Sequence, residues 1–313
     1  MRVLVTGATG FVGSHVAEAL VTAGHDVIVA VRSTSDRRWL VDLPVRQCAL
    51  DLRESARLTD ALAGVDAIAH VAGITRAASD AEYLQVNVEG TRALLSAAVA
   101  AGVRRFVLIS SLAARGPDRP EPELSPYGHS KREAERVAAG FADRLDVVAL
   151  RVAGVYGPRD TDFLLLFRMA RHGILLLPPR ARRVQPVFAT DVAELVARCV
   201  DHHFGFGPWP VAEPRSYAWS ELADHLSAAL GRRVRALHAP VAAFLTAAAV
   251  SEVTARVVRR AAVLDRRRAL DIARHSYTCD VSATERASGW WARVGLADGL
   301  AQTARWYREL GWL

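Results

Sequence analysis

The sequence contains few cysteines, a single lysine and no long apolar run. Its most apolar later stretch, Val241 to Val250, is only about half as long as a bilayer-spanning helix, so no transmembrane segment is expected. The N-terminal apolar run leads directly into a glycine turn, which indicates a buried strand rather than a signal peptide. Cys48, Cys199 and Cys279 are widely spaced and odd in number, so they predict neither a disulfide framework nor a zinc site and favour a reducing cytoplasm.

The only lysine is Lys131, and the other 39 basic side chains are arginine. An ammonium is a compact charge on a flexible stem, whereas a guanidinium is a wide planar group that cannot replace it beside a phenol. Tyr127 precedes Lys131 by four residues, so both side chains lie on one face of a helix. We expect the cation to lower the pKa of that phenol from its usual value near ~10, which suits Tyr127 to general acid/base catalysis. The alternative is a chance survivor of a general drift from lysine to arginine.

The bulk composition is that of an ordinary soluble globular protein. At 313 residues, with 51% hydrophobic and 23% charged residues, the chain can bury the core of one large α/β unit or of a domain with a smaller lobe. The formal net charge is +7, but the arginines are spread among acids, and only Arg259–Arg268 forms a cluster. That cluster predicts a solvated helix face, with an anionic substrate or a membrane surface as the alternatives, and no nucleic-acid partner is expected.

Short apolar runs alternate with amphipathic stretches through the first half of the sequence. Such alternation predicts βαβ units, and therefore a parallel sheet with helices on both faces and a binding crevice at the carboxyl ends of its strands. The predicted strands are Val3–Thr6, Val27–Val31, Val45–Ala49, Ala67–His70, Phe106–Ser110 and Val147–Leu150. The predicted helices are Val12–Ala23, Tyr83–Ala101 and Tyr127–Phe141.

The alternation of short apolar runs with amphipathic stretches ends after Gly157. The pattern predicts a helix near Phe163–Arg171, a strand near Arg183–Phe188 and a helix over Asp191–Val200, and then mainly helices from Pro208 onward. We therefore expect a first domain over residues 1–157, to which the chain returns at about 183–204. A smaller, mainly helical C-terminal substrate lobe is expected from residues 158–182 and 205–313.

A glycine-rich turn follows the first strand and opens the first helix. Gly7, Gly10 and Gly13 permit a tight turn and close approach of the backbone. The helix N-terminus, with Phe11 and Val12 in its first turn, offers free N–H groups to a pyrophosphate. The turn therefore predicts an α/β dinucleotide-binding domain with a Rossmann-type, doubly wound parallel sheet.

The glycine turn, Tyr127 with Lys131 and several further motifs follow one another in the order typical of one family. In these motifs the sequence resembles the extended short-chain dehydrogenases/reductases. This broad group includes NAD-dependent epimerases and dehydratases and the dihydroflavonol- and 3β-hydroxysteroid-type reductases. The resemblance spans essentially the whole length, including the closing segment with Gly289-Trp290 and Trp306-Tyr307. The other shared motifs are the G-x-x-G-x-x-G turn, Asp51-Leu52, His70–Gly73, Val86–Thr91, Ser110-Ser111, Tyr127 with Lys131, and Arg151 followed by Val155–Pro158.

The resemblance implies a role for each matching residue. Tyr127 is the proton donor or acceptor, Lys131 lowers its pKa and binds the nicotinamide ribose, and Ser111 hydrogen-bonds the substrate oxygen, as a developing alkoxide requires. Asn87 is expected to be structural. A homodimer through the Tyr83–Ala101 and Tyr127–Phe141 helices is also implied. Besides Tyr127 and Lys131, the residues implied to contact the dinucleotide are Gly7, Gly10, Phe11, Val12, Gly13, Asp51 at the adenine, Leu52, Val71, Ala72, Gly73 and Val155.

The second predicted strand ends without the acid that would bind the ribose 2′-hydroxyl of NAD. Arg32 stands there instead, with Arg37 and Arg38 nearby, and guanidinium groups suit a 2′-phosphate. NADP is therefore the expected cofactor. NAD is the alternative, because the chain is rich in arginine and Arg32 could occupy this position by chance.

Several positions depart from the sugar-nucleotide enzymes of this group. The segment Leu112–Gly116 lacks the acidic pair with which family dehydratases expel water, Arg115 replaces a tyrosine of many epimerases, and Val152 replaces the usual proline. Apolar runs in the second lobe suggest a pocket for a lipid, terpenoid or aromatic ketone, although such residues are more often core. These runs are Leu164–Phe167, Ile174–Leu177 and Phe244-Leu245.

The sequence therefore predicts an oxidoreductase that transfers a hydride between NADP(H) and a carbonyl or hydroxyl carbon of an apolar or acyl-type small molecule. Tyr127 is its predicted general acid/base. The alternative is an NAD-dependent nucleotide-sugar epimerase, which would use the same residues without net consumption of the cofactor. A third interpretation, a non-catalytic scaffold or redox sensor, is disfavoured because a scaffold has no use for a phenol tuned by a lysine.

Overall fold

The computed structural model describes residues 1–52, 58–116, 124–243, 245–246, 249, 270–271 and 275–313. Most strands are short, and six of them begin and end within two residues of the positions that the apolar runs predict. In chain order the strands are β1 (Arg2–Thr6), β2 (Asp26–Val31), β3 (Arg46–Ala49), β4 (Ala67–His70), β5 (Arg105–Ser111), β6 (Asp146–Val152), β7 (Gly154–Tyr156), β8 (Ile174–Leu177), β9 (Arg183–Val184), β10 (Pro186–Phe188), β11 (Trp209–Val211), β12 (Tyr217–Ala218) and β13 (Arg235–His238).

Seven of these strands form one parallel sheet in the order β11-β6-β5-β4-β1-β2-β3. The chain moves outward in one direction from β1 to β3 and in the other from β4 to β11. The order therefore reverses between β1 and β4, and a crevice opens beyond the carboxyl ends of these two strands. The predicted Rossmann-type, doubly wound α/β sheet is confirmed.

Helices cover both faces of the sheet because alternate side chains of each strand point to opposite faces. Val3 and Val5 face a core with α1 and α7, and Leu4 faces a second core with α2, α4 and α5. The helices are α1 (Phe11–Thr22), α2 (Leu58–Ala61), α3 (Asp80–Tyr83), α4 (Gly90–Ala100), α5 (Pro126–Ala139), α6 (Leu164–Arg171), α7 (Ala189–Asp201), α8 (Trp219–Leu230), α9 (Ser282–Ser288) and α10 (Leu296–Glu309).

A third apolar core lies outside the sheet, where α6, α8 and α10 pack together. Leu164, Phe167, Leu175 and Leu177 are fully or almost fully buried in it. For these members of the apolar runs, core is therefore the correct interpretation and pocket lining is wrong. Phe244 lies outside the described residues.

Three secondary-structure predictions need correction. The single helix expected over Tyr83–Ala101 is divided into three parts, namely the end of α3, a π-helical segment at Leu84–Glu89 and α4. A π-helical segment has wider turns than an α-helix, and the apolar spacing did not predict it. The single strand expected near Arg183–Phe188 is two short strands, β9 and β10, separated by Gln185. The Gln185 side chain donates to the carbonyl oxygens of Glu213 and Cys279 and accepts from the Cys279 N–H.

Strands are also present in the C-terminal part, which the sequence predicted to be mainly helical. Among them, β11 joins the main sheet although it lies in the segment assigned to the substrate lobe. It contains Pro210, and a proline is tolerated there because β11 is an edge strand. The domain boundaries stay a prediction.

The Arg259–Arg268 cluster and part of the apolar segment Val241–Val250 lie outside the described residues. Within the described ranges, no helix is both long and apolar enough to cross a bilayer.

Candidate active site

The glycine turn between β1 and α1 is closed so tightly that two of its glycines have no room for a side chain. Gly7 has a φ of +73°, and a Cβ on it would lie 2.7 Å from the backbone nitrogen of Ala72. A Cβ on Gly13 would lie 2.1 Å from the carbonyl oxygen of Gly7. Gly10 is the N-cap of α1, so no side chain covers the helix terminus. This bare turn of backbone N–H groups fits the pyrophosphate of a dinucleotide.

A buried histidine holds the ends of β1 and β4 together beneath this turn. His70 bonds Thr6 Oγ1 through Nδ1 at 2.7 Å and Thr91 Oγ1 through Nε2 at 2.9 Å. Thr91 donates its own hydroxyl to the Asn87 carbonyl, so Nε2 of His70 is assigned as the donor and Nδ1 as the acceptor. Burial, and next the nearby charge of Lys131, lower the pKa of His70 to about 3. The ring is therefore neutral at physiological pH.

The segment after β4 lies beside Lys131. A Cβ on Gly73 would lie 3.1 Å from Asn87 Oδ1 and 3.4 Å from Lys131 Nζ. Asn87 accepts from the backbone N–H of Ile74 at 2.8 Å and donates to Ser130 Oγ at 3.0 Å. Asn87 thus connects the β4 loop to α5 through its side chain, and its structural role stays a prediction.

Ser111 and Tyr127 lie on two elements that pack closely together. Ser111 ends β5 and caps a short 3-10 turn by accepting from Ala113 N–H at 3.2 Å. The first turn of α5 rests on this 3-10 turn, where a Cβ on Gly128 would lie 2.4 Å from the Ala113 carbonyl oxygen. Only glycine permits this approach. Ser125 caps α5 by accepting from Gly128 N–H at 3.1 Å, which fixes the start of the helix just before Tyr127.

Lys131 is buried one turn further along α5. Its Nζ donates to the Ile109 carbonyl oxygen at 2.7 Å, two residues before Ser111 on β5. Burial lowers the pKa of Lys131 to about 8, and the negative charge of Glu135 opposes this change. Serine, tyrosine and lysine are thus brought to the same edge of the sheet, at β5 and the start of α5.

The lowered pKa of Lys131 predicts a stability effect with a defined sign. Below about pH 8 the folded chain bears the full cost of a buried ammonium, with a ceiling of about 3 kcal/mol, and the cost disappears as the pH rises towards the unfolded pKa near 10.5. Lys131→Met should therefore raise the unfolding temperature near pH 7, and this gain should disappear near pH 10. The loss of the hydrogen bond to the Ile109 carbonyl oxygen lowers stability at every pH and does not change this dependence. Thermal unfolding of both proteins from pH 6 to pH 10 tests this, and a pH-independent difference would contradict it.

Glu135 is a buried site residue that the sequence analysis missed. Its carboxylate accepts from Ser110 Oγ at 2.5 Å and forms a two-pronged ion pair with Arg151, the closest N–O distance being 2.7 Å. The pair ties α5 to the ends of β5 and β6. The signal was present, because Tyr127, Lys131 and Glu135 recur at four-residue spacing and therefore share one helix face.

The predicted adenosine-end residues lie at the ends of β2 and β3. Arg32 is exposed, and its backbone N–H bonds Ser35 Oγ at 3.1 Å. Leu52 packs beside Gly90, and Asp51 precedes it. The predicted contacts Val12, Val71 and Val155 are partly buried against the core that contains α1. All of them lie around the carboxyl edge of the sheet.

The chain is similar over nearly its whole length to enzymes of three kinds. The model of the NAD-dependent epimerase/dehydratase family matches residues 3–208. A ceramide reductase of Caulobacter vibrioides is 34% identical over 99% of this chain and 96% of its own length. A UDP-glucose 4-epimerase of Vibrio cholerae is 28% identical over 97% and 94%, respectively. A dTDP-glucose 4,6-dehydratase of Streptomyces venezuelae solved with bound NAD has a TM-score of 0.79 and 28% identity, covering 100% of this chain and 98% of that one.

Proposed function

The chain belongs to the NAD-dependent epimerase/dehydratase family and is an extended short-chain dehydrogenase/reductase, and from this we propose that it is an NADP-dependent reductase of a carbonyl group in a long-chain lipid. The observation that carries the cofactor choice is the exposed guanidinium of Arg32 at the end of β2. In the described part of the chain, no carboxylate pairs with it. Arg38 is held by Asp36 and Arg37 by Gln47, so Arg32 is the group best placed to take a 2′-phosphate.

The substrate class rests on similarity and on the catalytic set. A full-length relative is a ceramide reductase, which supports a lipid substrate. The acidic pair required for dehydration is absent after Ser111, where Leu112 and Ala113 follow. The same catalytic set would serve a nucleotide-sugar epimerase, which stays the second candidate because an epimerase is also similar over the full length.

We assign the chemistry to three side chains. A nicotinamide dinucleotide held at this edge of the sheet would supply the hydride for the carbonyl carbon. Ser111 Oγ accepts from Ala113 N–H, so its own O–H is left to donate to the substrate oxygen. Tyr127 gives its phenolic proton to the oxygen as negative charge develops there. Lys131, charged below about pH 8, stabilises the resulting phenolate, which takes up a proton again before the next turnover.

Arg32→Ala should weaken NADPH binding by about 10- to 100-fold, because one charge-assisted pair to a phosphate is lost. NADH binding should stay unchanged, since NADH has no 2′-phosphate. Fluorescence titration with both dinucleotides measures the two affinities. Arg46→Ala is the matched control, because Arg46 is exposed at the opposite end of the neighbouring strand β3 and pairs with Asp26. Equal weakening of both dinucleotides by Arg32→Ala would contradict the role of Arg32.

The wild-type protein distinguishes the two candidate functions. Oxidation of NADPH with long-chain lipids that carry a carbonyl group, presented in detergent micelles, would support the reductase. Tightly bound NAD that copurifies, with conversion of a UDP-hexose and no net consumption of cofactor, would establish the epimerase instead.

We further propose a cytoplasmic homodimer. The three cysteines suit a reducing compartment. The dimer would form through the exposed faces of α4 and α5, which carry Arg92, Ser96 and Arg136. Sedimentation of the purified protein tests the dimer.

We also retain the division into a dinucleotide-binding domain and a substrate lobe near residue 157.

A further inference from the structure

The loop between β7 and α6 contains an unusual backbone conformation. Arg159 has a φ of +73° and is the one non-glycine residue with a positive φ in the described part of the chain. Arginine is strained in this region, and such strain persists only where the surroundings impose it. The Arg159 side chain is only 17% exposed, so its contacts are extensive enough to impose this positive φ.

Arg159 and its neighbour Pro158 bind the outer side of α1. The guanidinium donates to Ser14 Oγ at 3.2 Å and to Glu18 Oε2 at 2.8 Å. Ser14 in turn donates to the Phe11 carbonyl oxygen at 2.8 Å, in the first turn of the helix. His15 donates through Nε2 to the Pro158 carbonyl oxygen at 2.9 Å. The loop therefore holds the same helix turns whose N-terminus faces the predicted pyrophosphate site.

The same guanidinium also holds the loop after β2. It lies over the Trp39 ring at 5.5 Å, and Trp39 packs against Trp306 and Trp312 with ring centroids 5.5 and 6.3 Å away. Trp39 immediately follows Arg37 and Arg38. The loop near the predicted 2′-phosphate site is thus connected through Arg159 to α1 and to the C-terminal aromatic residues.

We propose that Arg159 is a positioning residue for the dinucleotide, which acts from outside the binding crevice by holding the first turns of α1 against the Trp39 loop. Phosphate binding by backbone N–H groups depends on their exact direction, and displacement of a binding group by about 1 Å is costly. The inference rests on the proposed binding of a dinucleotide at this edge. It does not depend on the choice between NADPH and NADH, because α1 would hold the pyrophosphate that both contain.

Arg159→Gly separates this role from a structural one. Glycine adopts a φ of +73° without strain, so the unfolding temperature should stay within about 2 °C of wild type even though the side-chain contacts are lost. We expect the Kd values of NADPH and NADH to rise by a similar factor of about 10, and KM for the cofactor to rise likewise while kcat at saturating cofactor stays within about twofold. Trp39→Ala should reproduce part of this effect, and the double variant should be less than additive because both residues act together.

Arg293→Ala is the matched control. Arg293 also lies over a tryptophan, Trp291 at 5.6 Å, and also pairs with a glutamate, Glu194 at 3.2 Å. Among the described residues, no hydrogen bond or ion pair joins its side chain to α1. The Arg293→Ala variant should bind both dinucleotides with wild-type affinity. If wild type binds no dinucleotide, the proposed function fails. If wild type binds and Arg159→Gly binds equally well, or loses affinity only in proportion to unfolded protein, the positioning role is overturned and the proposed function stands.

Discussion

Tyr127→Phe should lower kcat by a factor of about 10³ or more while leaving the affinity for the dinucleotide within about threefold of wild type. The substitution removes only the phenolic O–H, so the reaction loses its proton donor. The ring remains, and so does its packing against Tyr83, whose ring centroid lies 6.1 Å away. Steady-state turnover of NADPH, combined with fluorescence titration of the cofactor, measures both quantities.

Tyr83→Phe is the control for this experiment. It removes a hydroxyl from the neighbouring ring, where the O–H donates to the Thr75 carbonyl oxygen at 3.1 Å and lies outside the proposed proton path. Its kcat should change by only a few-fold, since one partly exposed hydrogen bond is lost. Turnover by Tyr127→Phe within threefold of wild type would show that another group supplies the proton.

Much of the fold follows from the sequence because parallel sheets repeat a simple rule. Buried strands such as β1 and β4 are continuous apolar runs, and the helices between them are amphipathic. Most of the predicted catalytic and cofactor residues also fall at one sheet edge because they follow a strand or lie in the first turns of a helix. Gly7 follows β1, Val71 follows β4, and Ser111 ends β5.

Contacts between distant segments could not be predicted in this way. The Glu135–Arg151 ion pair joins a helix to a strand, and neither residue alone indicates its partner. Arg159 meets Ser14 across 145 positions, and the local preference of arginine does not predict its positive φ. Such pairings depend on side-chain geometry in the folded chain, which apolar periodicity does not encode.

The edge strand β11 shows a second limit of pattern reading. Trp209 and Val211 favour strands, but a run of three residues with Pro210 at its centre is too short to predict one. They nevertheless join the sheet because β6 offers an unpaired edge, and burial of Val211 favours pairing there. The tertiary context therefore decides the structure where the local signal is weak.

Gly13→Ala should abolish useful dinucleotide binding, with a loss of about 100-fold or more, and should also lower the unfolding temperature. The added methyl group would lie 2.1 Å from the Gly7 carbonyl oxygen and 2.6 Å from its carbonyl carbon, so the backbone of the turn or the start of α1 must move by about 1 Å. Both contacts are with backbone atoms, which cannot rotate away as a side chain could. Overpacking of this kind costs about 1–3 kcal/mol in stability.

The loss of binding must be separated from the loss of folding, and Gly140→Ala provides the comparison. Gly140 caps α5 with a φ of −69°, and a Cβ there would meet its nearest neighbour, the Val137 carbonyl oxygen, at 3.4 Å. This variant should bind NADPH like wild type and unfold at the same or a slightly higher temperature. Titrations are made at a temperature where circular dichroism shows Gly13→Ala to be folded. If that folded variant binds NADPH as tightly as wild type, close packing of α1 on the turn is not what builds the pyrophosphate site. If only its affinity falls, the site requires glycine at this position because the helix must touch the strand end.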